Sequence, residues 1–244
     1  MLPRAKQTGY LFGLVVTLQG MILANRIVHR IKRVFTGDLD AFLKRCRGVI
    51  HVGANTGQER VRYESFGLRV LWIEPNPEVF DTLKRNVALY SRQKALNYLI
   101  TDTDGQEYSF HLANNEGESS SILELGQHSE IWPEVCYTGT IKLTGVTLPS
   151  LLRQEQINAS DYDALVLDTQ GSELTILRGA VALLPAFSYV RLEAPTFEPY
   201  KGCAKLSEID EFMTQTGFQK HRQFQFAKCP SGGAYYEVVY KRRL

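Results

Sequence analysis

Four carboxylates stand at or just beyond the ends of short apolar runs in this chain: Glu74 after Val70–Ile73, Asp102 after Leu96–Ile100, Asp168 after Ala164–Leu167 and Glu193 after Tyr189–Leu192. Runs of that kind read as strands buried on both faces of a parallel sheet. Acids placed there reach the carboxyl edge of the sheet, where open α/β sheets bind their ligands. A carboxylate at that edge has three uses. It can accept hydrogen bonds from ribose hydroxyls or an exocyclic amine, remove a proton from a reacting hydroxyl, or hold a divalent cation that acidifies that hydroxyl.

The loop before the first of these acids narrows the choice. Val49-Ile50-His51-Val52 runs into Gly53-Ala54-Asn55-Thr56-Gly57, and helix-compatible sequence follows. A glycine turn between a strand and a helix lets a ligand approach the backbone closely. Glu74 lies 17 residues after Gly57, near the spacing at which such folds place an acid on a ribose hydroxyl. Together the two pieces read as a nucleoside-binding βαβ unit; taken alone, the two glycines would also suit an ordinary βα turn.

The missing features narrow the choice of nucleoside. A dinucleotide fingerprint needs G-x-G-x-x-G, and Asn55 stands where the middle glycine belongs. A phosphate loop needs a lysine after its last glycine, and Gln58 is there instead. A ribose-bearing cofactor without phosphate fits better, and S-adenosylmethionine is such a molecule. Gly53, Asn55 and Gly57 would then face its methionine part, Glu74 its ribose, and Asp102 its adenine amine. The same sheet could carry a nicotinamide-dependent oxidoreductase, against which the missing glycine argues. A nucleic-acid methyltransferase would carry Asn-Pro-Pro-aromatic after the fourth strand, where Asp168-Thr169-Gln170-Gly171 stands. A non-catalytic binding or assembly protein on this scaffold is the third class.

Methyl transfer needs positioning, and where the acceptor is a hydroxyl it also needs a base. Asp168 is the first candidate, as base or as ligand of a divalent cation. Glu193 could bracket the same hydroxyl from the next strand. Glu173 is the third carboxylate, although in the first turn of a helix an acid also simply favours the helix dipole. His111 and His128 are further bases to consider, but histidines in a surface strand or loop are usually solvated. Trp132, Tyr137 and the run Ser119-Ser120-Ser121 could close over an acceptor.

The elements that must position these groups can be read from about residue 48. The expected strands are Gly48–Val52, Arg69–Ile73, Leu96–Ile100, Ala164–Leu167 and Tyr189–Leu192, with shorter ones at Glu107–Leu112 and Ile141–Leu143. They alternate with helices at Gln58–Phe66, Glu78–Tyr90, from Leu148, after Glu173 and at Ser207–Thr216. The stripe Val79, Phe80, Leu83, Val87 and Leu89 marks the apolar side of the second helix. Phe218–Lys228 and Tyr235–Lys241 form a closing antiparallel pair at one sheet edge. Alternation of this kind implies right-handed crossovers and a mostly parallel sheet. Residues 114–130, polar and rich in Ser, Glu and Gly, are expected to be a functional or mobile loop.

At 244 residues, 44% hydrophobic and 22% charged, the chain suits one domain with an appendage. A net charge of +2 without a long basic stripe gives no reason to expect a nucleic-acid partner. Cys46, Cys136, Cys203 and Cys229 form no C-x-x-C pair, which argues against a thiolate zinc site. The expected division is a helical extension at 1–47 and a catalytic domain at 48–244. Gly9–Ala24 is apolar and flanked by Arg4, Lys6, Arg26, Arg30, Lys32 and Arg33. Its roughly 16 residues fall short of a membrane span. It could pack on the domain, support a homo-oligomer, or lie on an anionic membrane. The expected location is cytoplasmic, with peripheral contact at the inner face of the membrane.

Three pieces of the chain resemble the FkbM family of methyltransferases, and the resemblance runs from about Gly48 to the end. They are Val52–Gly57, Ile73-Glu74-Pro75-Asn76-Pro77, and Leu165–Leu167 with Asp168-Thr169-Gln170-Gly171-Ser172-Glu173. Leu177-Arg178-Gly179-Ala180 also matches, as does Glu193 followed by Tyr200. The resemblance implies a Rossmann-like methyltransferase fold, S-adenosylmethionine as donor, and an oxygen nucleophile on a small molecule, sugar or glycan. One position departs. Family members commonly carry an acid where this chain has His51, near the ammonium of the cofactor's methionine. A neutral histidine could only accept a hydrogen bond there, and a protonated one would repel. His51 also reads as a satisfied buried histidine at a strand end.

Overall fold

A computed structural model describes residues 36–243. The chain divides at Ala41 and Phe42, and the fold belongs to the second unit. The expected helical extension over Gly9–Arg33 lies outside the described residues. The first described element is a 3-10 stretch, Thr36–Arg45.

The apolar runs form the strands they predict. β1 (Gly48–Val52), β2 (Arg69–Ile73), β7 (Ala164–Leu167) and β8 (Tyr189–Pro195) are almost wholly buried. They join β3 (Gln93–Leu96), β9 (Phe218–Lys228) and β10 (Ala234–Arg242) in one seven-stranded sheet of order β3-β2-β1-β7-β8-β10-β9. The ladders among β3, β2, β1, β7 and β8 are all parallel. β1 lies between β2 and β7, so the strand order reverses there. That reversal opens the crevice in which such sheets bind ligands.

The closing antiparallel pair forms at one sheet edge as expected. β10 is antiparallel to both β8 and β9, so β9 runs with the parallel strands and only β10 is reversed. β10 is the inner strand because Val238, Val239 and Tyr240 can be buried on both faces. β9 alternates with exposed Gln219, Gln223 and Gln225, which suits an edge.

The third strand departs from the expected Leu96–Ile100. Its pairing with β2 ends at Leu96 opposite Ile73. After Asn97 and Tyr98 the chain turns into β4 (Leu99–Ile100), which joins a second sheet of order β4-β6-β5. There β5 (Glu107–Ala113) pairs antiparallel with β6 (Tyr137–Val146), a strand far longer than Ile141–Leu143.

Among the described residues five α-helices flank the main sheet: α1 (Arg60–Ser65), α2 (Pro77–Val87), α3 (Leu148–Gln154), α4 (Glu173–Gly179) and α5 (Leu206–Gln215). Asn76 caps α2 by accepting from the Glu78 N–H at 3.1 Å. Leu83 and Val87 turn inward as the stripe predicts, but α2 ends at Val87 and Leu89 is 92% exposed. α4 stops at Gly179, where a Cβ would lie 2.4 Å from the Thr101 carbonyl oxygen. Among the described residues no helix is long and apolar enough to cross a membrane.

Candidate functional site

The carboxyl edge of β1 and β2 forms the first half of the site. Gly53 leaves β1 at φ +78°, and a Cβ on it would sit 1.8 Å from the Asp168 carbonyl oxygen. Glycine is therefore required where the loops after β1 and β7 meet. The Gly53 and Ala54 N–H groups both donate to the Ile73 carbonyl, at 3.0 and 3.1 Å. Gly57 donates to Ala54, and Thr56 to the Asn55 side chain. The loop thus offers close approach rather than free donors. Asn55 takes φ +44°, a backbone conformation asparagine tolerates better than most residues.

Glu74 ends β2 and is 6% exposed. One carboxylate oxygen accepts from the Asn55 N–H at 2.8 Å, the other from the Asn76 N–H at 2.9 Å. An ionised carboxylate has about four acceptor sites, so acceptor capacity remains for two hydroxyls. Burial pushes the Glu74 carboxyl up to about 7, against the two backbone N–H groups, and the charge of Asp168 adds to the rise. Asn97, directly after β3, donates to the Glu74 and Pro75 carbonyls at 2.7 and 3.0 Å. It holds this turn from the third strand.

His51 is buried one residue before the end of β1. Its ring lies 5.1 Å from that of Trp72, and its Nδ1 is 3.2 Å from the Tyr63 hydroxyl. Burial, then the charge of Arg191, pushes it down to about 3, so it is neutral. It brings no repelling charge toward the site.

The second half of the site follows β7 and β8. Asp168 is exposed at the end of β7, and one of its oxygens accepts from the Gln170 amide at 2.9 Å. Glu173, 3% exposed, accepts from the Thr169 and Gly171 N–H groups and the Thr169 hydroxyl. Burial pushes its carboxyl up to about 7. Glu173 therefore acts on the 168–171 loop by hydrogen bonds, beyond any effect on the helix dipole. A small opening is lined by Gln170, Gly171, Glu173, Glu193, Pro195 and Tyr235.

Residues 114–130 are folded onto this edge. Asn55 donates to the Glu116 carbonyl at 3.1 Å, and the Ser121 hydroxyl donates to the Gln170 carbonyl at 2.8 Å. The same segment thus touches the loops after β1 and β7. Ser119, Ser120 and Ser121 are all buried, and Ser120 Oγ accepts from the Ala113 N–H. His128 is not solvated as expected. It is 2% exposed, between the rings of Trp132 and Tyr200, with centroids at 4.8 and 5.3 Å. Burial pushes it down to about 4, because the surrounding rings replace the water that a cation needs. His111 bonds Thr140 at 3.1 Å and stacks on Tyr137 at 4.8 Å. The Tyr137 hydroxyl donates to the Leu123 carbonyl at 2.7 Å.

Of the expected site residues, Gly53, Asn55, Gly57 and Glu74 stand together, with Asp168, Glu173 and Glu193 at the same sheet edge. Asp102 stands elsewhere. It follows β4 rather than β3, with its Cα against the far end of α4 at Gly179 and its carboxylate on Thr103. The break after Leu96 carries it away, and Asn97 occupies the place at the end of β3. No three His, Cys, Asp or Glu residues among those described form a group that could hold a metal ion. Glu74 and Glu173, the carboxylates whose charges bear on Asp168, already serve backbone N–H groups, so the cation reading of Asp168 gains no support. Sequence reasoning missed Asn97, Gln170 and Tyr200. The last two lie within quoted motifs, but nothing in their spacing reveals that the Tyr200 hydroxyl donates to Gln170 Oε1 at 2.6 Å.

No protein of curated function matches this sequence. The chain is similar in structure to 1,6-didemethyltoxoflavin-N1-methyltransferase from Burkholderia thailandensis, solved with S-adenosylhomocysteine. The identity is 12% and the TM-score 0.49, covering 100% of this chain and 93% of that one. It is also similar to magnesium protoporphyrin IX methyltransferase from Synechocystis, solved with the same product. There the identity is 9% and the TM-score 0.48, covering 89% and 83% of the two chains. The methyltransferase FkbM domain matches residues 51–220, from the strand before the glycine loop to the start of β9. With that match over most of its length, and with its mostly parallel seven-stranded Rossmann-like sheet, the chain belongs to the FkbM methyltransferase family.

Proposed function

We propose that the chain transfers a methyl group from S-adenosylmethionine to a hydroxyl of a saccharide, glycolipid or other small acceptor. The observation that carries this reading is Glu74. A carboxylate held by two backbone N–H groups at the switch point of the sheet, with acceptor capacity to spare, suits a pair of ribose hydroxyls. The Gly53–Gly57 loop lies beside it for the methionine part. Asn97, at the end of β3, stands nearer than Asp102 to where the adenine amine belongs. The bound donor supplies an electrophilic methyl group on a sulfonium.

This chain's own residues then have three tasks. Asp168 takes the proton of the acceptor hydroxyl, with one of its oxygens accepting from the Gln170 amide. Glu193 brackets the acceptor from β8. Glu173 keeps the 168–171 loop in shape. The neutral His51 suits its place by leaving a cationic methionine ammonium unopposed. The N-terminal basic segment fits peripheral contact with the inner face of a membrane, where a glycolipid acceptor would lie.

The test is turnover. Incubated with S-adenosylmethionine and a panel of hydroxyl acceptors, the full chain should release S-adenosylhomocysteine, and Asp168→Asn should lower the rate by about 100-fold or more. Full activity in that variant would remove Asp168 from the base role. Methylation confined to amines would remove the hydroxyl acceptor.

A further inference from the structure

Tyr235 carries a hydroxyl that packing does not require. The residue sits in β10 opposite Pro195 of β8 and Ala227 of β9, and it is 5% exposed. Phe226 stacks on its ring at 5.3 Å, Phe197 meets it edge-on at 5.1 Å, and Trp132 closes a third side at 5.9 Å. A place between two phenylalanines and an indole would be filled equally well by phenylalanine. A tyrosine buried to this degree ordinarily finds a hydrogen-bond partner. Tyr235 forms no hydrogen bond through its hydroxyl to any described residue. That oxygen is not enclosed either. It faces the opening that Tyr235 lines together with Gln170, Gly171, Glu173, Glu193 and Pro195.

Neighbouring groups at the opening are engaged in the fold. Gln170, left-handed at φ +55°, has its amide bonded at both ends, by Asp168 and by Tyr200. The Gly171 N–H donates to Glu173, whose carboxylate also serves Thr169. Burial above all, then the nearby Tyr200, Glu193 and Glu173, pushes the Tyr235 phenol well above its ordinary 10, so it keeps its proton. A ligand seated here therefore meets a fixed O–H donor beside carboxylates, which only accept when ionised. It must offer an acceptor to the first and donors to the second. A hydroxyl does both at one atom, and a polyol does so at several. An ammonium group only donates and would leave the phenol proton unused. Because the ring is already clamped, little side-chain freedom is lost when it binds.

We propose that Tyr235 is the acceptor-recognising residue, its hydroxyl hydrogen-bonding an oxygen of a sugar-like polyol seated in this opening. The proposal deepens the functional reading above and rests on the methyl acceptor, not the donor, filling the space at the ends of β7 and β8.

The test uses the full chain without methyl donor, and the methyl glycosides of glucose, galactose, mannose and rhamnose as probes. Saturation-transfer NMR should show at least one of them bound. Tyr235→Phe should bind that glycoside about fivefold or more weakly, the loss expected for one hydrogen bond. The substitution removes an oxygen that no described residue bonds, so the melting temperature should hold. Tyr236→Phe, at the next position but packed against the main core, should bind as the natural chain does. Equal binding to the natural chain and to Tyr235→Phe would overturn the proposal, as would binding of none of the glycosides or an equal loss in Tyr236→Phe. A Tyr235→Phe chain that melts markedly lower would show that the hydroxyl serves the fold, and would overturn it too. Calorimetry with S-adenosylmethionine judges the functional reading separately. A chain that binds a glycoside through Tyr235 but no methyl donor would sink methyl transfer and leave Tyr235 as a sugar contact.

Discussion

Glu74 joins the protein's own needs to the proposed ligand's. It shapes the loop by accepting from Asn55 and Asn76, and its burial raises its pKa to about 7. Ribose hydroxyls donate to the ionised form, so donor binding and ionisation favour each other. The sign follows: affinity for S-adenosylmethionine should fall as pH drops through 7, by about tenfold between pH 8 and pH 6 if only the ionised form binds. Calorimetry at the two pH values measures this, and equal affinities would remove Glu74 from the ribose. Glu74 was legible in the sequence because it needs only a strand end and a spacing from a glycine loop. His128 and Gln170 were not. The burial of the first is made by Trp132 and by Tyr200, 72 positions away, and the role of the second by a left-handed backbone and the same tyrosine.

The elements show which boundaries local pattern can set. β1, β2 and β7 fall where their apolar runs place them, because strands buried on both faces admit little else. The third strand misleads because Leu96 and Leu99–Ile100 are all buried, but in two different sheets. Pairing, not hydropathy, divides them, and Asp102 is displaced as a result. The loop after β1 gives a sharp prediction. Gly53→Ala would drive a Cβ into the Asp168 carbonyl, whereas Gly105→Ala has a similar positive φ with nothing within 4 Å. Gly105→Ala should cost about 1–2 kcal/mol, and Gly53→Ala more than about 4 kcal/mol, or the fold. Urea unfolding of the pair checks this, and equal losses would show that the two loops are not in tight contact. At the start of α4, burial raises Glu173 from its ordinary 4.5 to about 7. A raised carboxyl favours the folded state below its unfolded pKa, and that contribution is lost as pH rises through 7. The donor-free chain should therefore melt at a higher temperature at pH 6 than at pH 8, and Glu173→Gln should narrow the difference. An unchanged difference in that variant would place the effect elsewhere.

For the whole molecule, family and sheet order agree on a Rossmann-like methyltransferase fold, and the 114–130 segment makes the site one unit by touching the loops after β1 and β7. The sequence presented that segment as a polar loop because its serines bury against residues far along the chain, with hydroxyls satisfied by Gln170 and Ala113. Most directly at stake is the claim that Glu74 holds the donor. The decisive measurement is calorimetric titration of S-adenosylmethionine into the full chain and into Glu74→Gln at pH 8. The substitution keeps one acceptor oxygen for the loop and removes the charge and the second acceptor. The natural chain should bind with one site, and Glu74→Gln should bind about 10-fold or more weakly, at a cost of at least about 1.4 kcal/mol, with the variant still folded by circular dichroism. No binding to the natural chain, or equal binding to a folded Glu74→Gln, would contradict it.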